Sequence, residues 1–168
     1  MADVDVQDTI FEAVKKKFGF VPNLIREMAE NPAVARVYLE GQGALAAGVL
    51  PPREQQAVQL AISVYNECHY CRAAHGVGSR MSGISPTDVE AIQKGALPDD
   101  PRLRSVVHAT WQVLDMRGSL GPNDLRGLEA EGISRAQLYE IVAFIGLKTI
   151  SNYINHIAHT PVDAAFQS

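Results

Sequence analysis

Three observations predict an all-α fold for this 168-residue chain. Nearly every start or stop signal along the sequence is of the kind that begins or ends a helix. Between these signals, apolar residues recur at intervals of three and four, the period of an amphipathic helix, as at Leu103, Val106, Val107 and Leu114. No run that alternates apolar and polar residues lies between hairpin signals, so no strand is expected.

The predicted helices, in chain order, span residues 7–18, 23–30, 32–47, 52–66, 69–82, 86–94, 101–118, 122–131 and 134–160. An N-capping side chain followed by proline begins three of them, at Asn31, Ser85 and Asp100. Ser134 and Gln137 form a capping box at the start of the last helix, and Gly132 suits the end of the helix before it. The length indicates one domain, residues 1–168, with a single core.

Two of these helices are too apolar for a surface position. The helix at 52–66 has one narrow polar stripe, formed by Gln56, Gln59, Ser63 and Asn66. In the last helix, isoleucines occupy one side and polar residues another, the polar ones being Asn152, Asn155, His156 and His159. A helix that is apolar on most sides is buried on most sides. We therefore expect a second subunit to cover part of this surface in a homo-oligomer.

Charge and composition exclude several classes of protein. The net charge is −4 and no basic stripe is present, which argues against a nucleic-acid partner. No apolar segment approaches the ~20 residues that cross a bilayer, so no membrane association is expected. The acidic first residues lack the pattern of a signal peptide. The expected location is the cytoplasm, where thiols stay reduced.

The only two cysteines of the chain lie in the segment NECHYCRAAHG, residues 66–76. If a helix begins near Cys68, then Cys71 lies one turn later, and His75 lies one further turn along the same face. The N–H groups at a helix start lower the pKa of a nearby thiol, and a histidine one turn below Cys71 can accept its proton. This spacing favours redox chemistry, in which one oxidised sulfur is attacked by the other.

Two other interpretations of the cysteines stay open. A zinc site needs about four ligands, and the segment supplies three, so another histidine or a carboxylate would have to complete the site. Free cysteines are also often small buried hydrophobic residues of the core. The spacing favours the redox pair over both, and neither a metal nor a cofactor is expected.

The segment ECHYCRAAH, in which a histidine follows the second cysteine by four residues, resembles the AhpD-like alkylhydroperoxidases. These form part of the carboxymuconolactone decarboxylase superfamily, and the resemblance is to their peroxidase-related branch. The segments FGFVPNL, LPPREQQAVQLAISVYNECHYCRAAH and LKTISNYINHIAHTPVD resemble the first part, core and closing helix of that branch. The resemblance implies an AhpD-like helical fold that assembles into dimers, trimers or hexamers. It also implies a thiol-dependent peroxidase that reduces hydroperoxides without haem, flavin or metal, and that is recycled by an unidentified protein or small-molecule thiol.

The resemblance also implies roles for single residues. Cys71 would attack the peroxide, Cys68 would resolve the sulfenic acid and meet the reductant, and His75 would belong to a proton relay. Tyr70 stands where some members carry a relay histidine. The usual glutamate base, twelve residues before the first cysteine, is replaced by Gln56, so Gln56→Glu is expected to speed the reaction.

Further candidates for the relay or for the lining of the site are Glu54, Glu67, Asn152 and His156. Two alternative functions remain at this stage. One is a lyase or isomerase of the carboxymuconolactone decarboxylase type, although that branch typically lacks the cysteine pair. The other is a non-enzymatic thiol partner or redox sensor, which the missing glutamate keeps open.

Overall fold

The computed structural model describes residues 2–167, with side chains from residue 6 onward. Within that range the chain is helical and contains no strand, and the all-α prediction is confirmed. The helices are α1 (Ala2–Phe18), α2 (Asn23–Met28), α3 (Pro32–Leu45), α4 (Pro52–Tyr65), α5 (His69–Met81), α6 (Pro86–Gln93), α7 (Pro101–Asp115), α8 (Pro122–Ala130) and α9 (Arg135–Ala158), followed by the 3₁₀ turn Ala164–Phe166. None of the helices described is long and apolar enough to cross a membrane.

The local signals in the sequence set the helix ends. The side chains of Asn31, Ser85 and Asp100 accept the expected N-cap hydrogen bonds at the starts of α3, α6 and α7. Ser134 and Gln137 form the capping box of α9. Gly132 follows α8 with a φ of 79°, a left-handed conformation that favours glycine. The start of α1 lies five residues earlier than predicted, and the other helix ends agree within three residues.

The central helix of the fold is α4. Helices α5, α6, α7 and α9 pack against it. Five of its apolar residues have no exposed area: Ala57, Val58, Leu60, Ala61 and Ile62. The other helices of the same chain cover these residues, so their burial needs no second subunit, contrary to the reason for which one was expected. Full burial of an aliphatic side chain contributes roughly 1.5–3 kcal/mol, so α4 is a main source of folding free energy.

The long helix α9 has two contrasting faces. Its inner face carries buried polar side chains: Lys148, Ser151, Asn152 and Asn155. Its outer face leaves large apolar side chains exposed: Tyr139, Val142, Tyr153 and Ile157. Buried polar groups need partners inside the fold, and exposed apolar rows are typical of subunit interfaces.

The segment after α9 returns to α2 and α5. The Asp163 carboxylate accepts hydrogen bonds from the Asn23 backbone N–H at 3.1 Å and from the Tyr70 hydroxyl at 2.5 Å. The ring of Phe166 meets the ring of Tyr70 edge-on, with centroids 5.9 Å apart. These contacts hold the C-terminal turn beside the start of α5, which carries the cysteines.

Candidate active site

The two cysteines lie at the junction of α4 and α5. Glu67 adopts a left-handed φ of 55° after α4, and the Cys68 N–H donates to the Ser63 carbonyl at 2.9 Å. Cys68 is the N-cap residue of α5, as the redox interpretation of the motif requires. Both thiols are free and buried, with exposed fractions of 0% for Cys68 and 1% for Cys71.

The contact between the two sulfurs moves their pKa values apart, so that Cys71 is the more acidic thiol. A hydrogen bond from Cys68 contributes most to holding the pKa of Cys71 well below its ordinary value of 9.0, against the opposing effect of burial. The ammonium of Lys148 and the amides of Asn152 and Asn155 act in the same direction. The same sulfur contact, together with burial, raises the pKa of Cys68. The lower pKa makes Cys71 the candidate nucleophile and Cys68 the candidate resolving thiol.

Helix α9 supplies the groups that stabilise this thiolate. Asn155 Nδ2 donates to Cys71 Sγ at 3.2 Å and to Cys68 Sγ at 3.8 Å. The neighbouring Ser151 hydroxyl donates instead to the Lys148 carbonyl, at 3.1 Å. Lys148 has no exposed area. Although burial works against its charge, the negative Cys71 holds the pKa of Lys148 above its ordinary value of 10.5. A buried ammonium and a buried thiolate stabilise each other, and each is costly without its partner.

His75 connects Lys148 to Gln56. Its Nε2 atom lies 2.7 Å from Lys148 Nζ, and its Nδ1 atom lies 3.1 Å from Gln56 Oε1. Burial, and then the charge of Lys148, hold the pKa of His75 well below its ordinary value of 6.5, so the ring is neutral. An ammonium only donates and an amide oxygen only accepts, so the proton of His75 lies on Nδ1. The row Gln56–His75–Lys148 thus holds the ammonium near Cys71.

The structure brings part of the predicted site together. Gln56 contacts His75, as described above. Asn152 lies on the same face of α9 as Lys148, and its Oδ1 accepts a hydrogen bond from Asn66 Nδ2 at 2.9 Å. Glu67 and His156 line a hollow beside Cys68, on the side away from this row of contacts.

Two other predicted residues face different partners. The Glu54 carboxylate accepts hydrogen bonds from Arg102 Nε at 3.0 Å and from Arg102 Nη2 at 2.9 Å. The Tyr70 hydroxyl is committed to Asp163. Gln56 and Lys148, not Glu54 or Tyr70, are the hydrogen-bond partners of His75. Tyr70 nevertheless lines the same cavity as Cys71 and His75.

Lys148, Ser151 and Asn155 are missing from the site predicted from sequence. Together with Asn152 they recur at intervals of three and four, which places them on one face of a largely apolar helix. That polar row is the signal that points to them, and Lys148 extends it by one turn. A lysine is ordinarily exposed, however, and only the packing of α9 shows that this one is buried.

Two hollows reach the sulfurs. The Cys71 cavity, of about 330 Å³, is lined by Cys71, His75 and two lysines, Lys17 and Lys148. The rest of its lining is made of amide and largely apolar side chains, including Leu24, Tyr38, Leu39, Gln59 and Phe166. The Cys68 cleft, of about 440 Å³, is lined by Cys68, Asn155 and Thr160 among others. Across residues 2–167, the described His, Cys, Asp and Glu side chains form no group of three or more that could hold a metal ion.

Comparison with known proteins connects this geometry to a family. Residues 32–111 match the model of the carboxymuconolactone decarboxylase family, a range that includes Cys68, Cys71 and His75. An uncharacterised peroxidase-related protein with an alkylhydroperoxidase AhpD core, from Ralstonia eutropha JMP134, superposes with a TM-score of 0.85 at 25% identity. The match covers 96% of this chain and 87% of that one. Residues 32–111 are thus similar to the carboxymuconolactone decarboxylase family, and the fold is AhpD-like.

Further solved structures share this AhpD-like fold. A peroxidase-related protein from Silicibacter sp. TM1040 has a TM-score of 0.83 at 21% identity, over 98% of this chain and 88% of that one. The debrominase Bmp8 has a TM-score of 0.77 at 20% identity, over 99% of this chain and 91% of that one. These two likenesses show the fold alone. No curated protein matches the chain.

The family match ends within α7, at Trp111. Lys148 and Asn155 lie on α9, beyond the matched range. Their part in the site therefore rests on the geometry of this AhpD-like chain and not on the family model.

Proposed function

We propose that this AhpD-like protein is a thiol-dependent peroxidase that reduces hydroperoxides through Cys71 and Cys68. The observation that carries the proposal is the buried pairing of Cys71 with Lys148 beneath a largely apolar cavity, with a second thiol in contact. A thiolate is the form of cysteine that reacts with peroxides, and this arrangement favours the ionised form of Cys71 by lowering its pKa.

In the first step, the Cys71 thiolate attacks the terminal oxygen of the hydroperoxide. The O–O bond breaks, Cys71 becomes a sulfenic acid, and the remainder leaves as an alkoxide. Lys148 lines the same cavity, so its ammonium stabilises the developing alkoxide and donates a proton to give the alcohol. His75 and Gln56 hold that ammonium in position through contacts of 2.7 Å and 3.1 Å.

In the second step, Cys68 attacks the sulfenic sulfur of Cys71. The S–O bond breaks, the hydroxyl leaves with the thiol proton as water, and a disulfide closes. Cys68 and Cys71 already share a hydrogen bond, so this closure needs little movement at the start of α5. The raised pKa of Cys68 keeps it a thiol and prevents it from competing for peroxide. A thiol reductant, either a protein or a small molecule, then restores both thiols.

The two alternative functions give different outcomes in one assay. A lyase or isomerase that works by acid–base chemistry would act on its lactone without consuming thiols. A redox sensor would be oxidised once by peroxide and would not turn over. Halogenated substrates are not proposed, because the likeness to the debrominase extends only to the fold.

The test compares the wild type with Cys68→Ser and Cys71→Ser after one equivalent of cumene hydroperoxide. We expect the wild type to lose both of its thiols and to turn over with dithiothreitol. Cys68→Ser should retain a sulfenic acid on Cys71, which dimedone labelling and mass spectrometry detect. Cys71→Ser should leave Cys68 largely unreacted.

The roles are overturned if Cys71→Ser forms a sulfenic acid on Cys68 at the wild-type rate. If peroxide oxidises the two thiols once but the protein does not turn over with dithiothreitol, the redox-sensor function would replace the proposed peroxidase function. Full retention of both thiols under excess peroxide would remove both redox functions and leave the lyase.

We also propose that the protein is a homo-oligomer, either a dimer, a trimer or a hexamer, and that it works in the cytoplasm. The exposed apolar face of α9, which includes Tyr139, Tyr153 and Ile157, supports assembly because such a face is typically covered. A cytoplasmic location agrees with a redox pair that must be reduced again after each turnover.

A further inference from the structure

We propose that Lys148 is a modification site. When Cys71 is oxidised to a sulfenic acid, the amine of Lys148 condenses with it to a reversible sulfenamide, which protects the sulfur from a second oxidation. A sulfenamide is the S–N bond that a sulfenic acid forms with a nitrogen nucleophile when water is lost. The inference rests on the proposed function, which supplies the sulfenic acid.

Lys148 is held against the sulfur of Cys71. The two side chains share a hydrogen bond, and both line the Cys71 cavity. Lys148 has no exposed area and Cys71 only 1%, so the packing around them fixes both side chains in place. Reacting groups that are held together in this way have a high effective concentration.

The other nitrogens near Cys71 are poor nucleophiles. Asn155 Nδ2 donates to Cys71 Sγ at 3.2 Å, but the lone pair of an amide nitrogen is delocalised into its carbonyl. A sulfenic acid can also condense with a backbone nitrogen. The N–H of Arg72, which follows Cys71, already donates to the Cys68 carbonyl at 2.9 Å. Lys148 is therefore the nitrogen that the fold offers.

The charge of Lys148 depends on the Cys71 thiolate. Burial opposes the ammonium, and the groups that most raise the pKa of Lys148 are Cys71, Tyr38 and Cys68, none of which is a carboxylate. When Cys71 becomes a neutral sulfenic acid, the largest of these favourable effects is lost while the burial stays. A lysine that is buried without a counter-charge loses its proton readily. The oxidised site therefore holds a neutral amine, which is the nucleophilic form of lysine.

The condensation follows directly from the proposed first step, in which Lys148 gives its proton to the departing alkoxide. The Lys148 amine attacks the sulfur of Cys71, an S–N bond forms, and the S–O bond breaks. The hydroxyl leaves with one amine proton as water. His75 Nε2 lies 2.7 Å from Lys148 Nζ and carries no proton, so it can pass this proton to the hydroxyl. No oxidant or reductant is consumed, because the sulfur keeps its oxidation level.

The benefit is protection while Cys68 has not yet reacted. The pKa of Cys68 is raised, and a protonated thiol attacks slowly. During that delay, the sulfenic acid faces the cavity through which peroxide would arrive. A second peroxide would convert it to a sulfinic acid, which thiols do not reduce. The sulfenamide blocks this loss.

The S–N bond is also reversible. Cys68 attacks the sulfur of Cys71, the S–N bond breaks, and the nitrogen of Lys148 takes the proton of the Cys68 thiol. The product is the same disulfide that the proposed peroxidase cycle forms directly. In the wild type, the sulfenamide is thus a side path that rejoins this cycle.

The test removes Cys68, so that no disulfide forms and the sulfenamide accumulates. Cys68→Ser is oxidised with one equivalent of cumene hydroperoxide, digested with trypsin at neutral pH without reductant, and mapped by mass spectrometry. We expect peptide 54–72, which contains Cys71, to be joined to peptide 136–168, which stays uncut after Lys148. The joined mass should lack two hydrogen atoms relative to the reduced peptides. Dithiothreitol should separate them, and Cys68→Ala should give the same result.

Dimedone separates this proposal from the peroxidase function. When it is present during oxidation, an adduct on Cys71 shows that the sulfenic acid forms. Absence of the adduct would overturn the peroxidase function and the sulfenamide with it. If the adduct forms but oxidation without dimedone joins no peptides, the sulfenamide alone is overturned. A link to Lys17, the other lysine of the cavity, or a link that retains an oxygen atom would overturn it as well.

The matched variant is Cys68→Ser with Lys148→Arg, because a guanidinium keeps the positive charge but does not act as a nucleophile. Under excess hydroperoxide, we expect it to form sulfinic acid on Cys71 several-fold faster than Cys68→Ser, relative to the sulfenic acid formed. Equal rates would overturn the protective role. Thermal unfolding shows whether the variant keeps its fold, and the joined peptides of Cys68→Ser decide the covalent step independently of it.

Discussion

Gln56→Glu adds a negative charge to a cluster whose charges are balanced. In the wild type, the Lys148 ammonium offsets the Cys71 thiolate, while His75 and Gln56 are neutral. From the sequence alone, the substitution is expected to restore a base and speed the reaction. From the structure we predict the opposite result, because the cluster already holds the charge of Lys148, which lowers the pKa of Cys71. A further anion opposes the thiolate.

The magnitude follows from the two contacts of His75. Gln56 Oε1 lies 3.1 Å from one ring nitrogen, and Lys148 Nζ lies 2.7 Å from the other. A carboxylate at position 56 would therefore lie roughly 8 Å from the ammonium, where two unit charges interact by about 2 kcal/mol at an effective dielectric constant of about 20. That interaction is attractive for the ammonium of Lys148. A repulsion of the same size between the carboxylate and the Cys71 thiolate, which we take as the upper limit, would lower the ratio of thiolate to thiol roughly 30-fold.

The assay follows the thiolate of Cys71 by its ultraviolet absorbance during pH titration, together with the consumption of cumene hydroperoxide at each pH. We expect the thiolate of Gln56→Glu to form at higher pH, and its peroxidase rate to fall by up to roughly 30-fold on the acid side of the profile. Gln59→Glu is the matched control, because Gln59 lines the same cavity but accepts a hydrogen bond from Gln42 instead of His75. Thermal unfolding of each variant shows whether the fold is retained.

A thiolate that forms at lower pH in Gln56→Glu, or a faster peroxidase rate, would refute the charge-balance argument. Either result would support the interpretation from sequence, in which Gln56 occupies the position of a missing catalytic glutamate. The expected repulsion would also be contradicted if the titration of Cys71 did not shift and infrared difference spectra showed the new carboxyl at position 56 to be protonated.

Three further predictions follow from the same contacts. Lys148→Met should lower the thiolate fraction of Cys71 near neutral pH at least tenfold, and an unchanged thiolate absorbance would contradict this. The unfolding free energy of the reduced protein should rise with pH between about 6 and 8, because the lowered pKa values of Cys71 and His75 leave more protons on the unfolded chain. Urea denaturation measures that slope, and a negative slope would reject the assignment. Light scattering should show an assembly larger than one 18.2 kDa chain, with Ile157→Glu shifting it toward the monomer, whereas a wild-type monomer at micromolar concentration would refute the proposed oligomer.

The parts of the site that the sequence predicts are those made by near neighbours in the chain. The helix start at Cys68, the turn between Cys68 and Cys71, and the further turn to His75 depend on the period of the helix. Gln56 is identified by its distance along the chain from the first cysteine. Its contact with His75 crosses only from α4 to α5, which are consecutive helices.

The sequence by itself determines the helices, their caps and the close spacing of two thiols and a histidine, because these depend on interactions over a few residues. Only the tertiary structure decides which sulfur is ionised. Lys148 lies 73 residues after His75 and meets it only because α9 packs against α4 and α5. Burial removes the water that would otherwise screen the charge of Lys148, and so makes an ordinary lysine the counter-charge of Cys71. The same packing turns Tyr70 toward Asp163 and opens the two cysteines onto different hollows, which spacing along a helix does not determine.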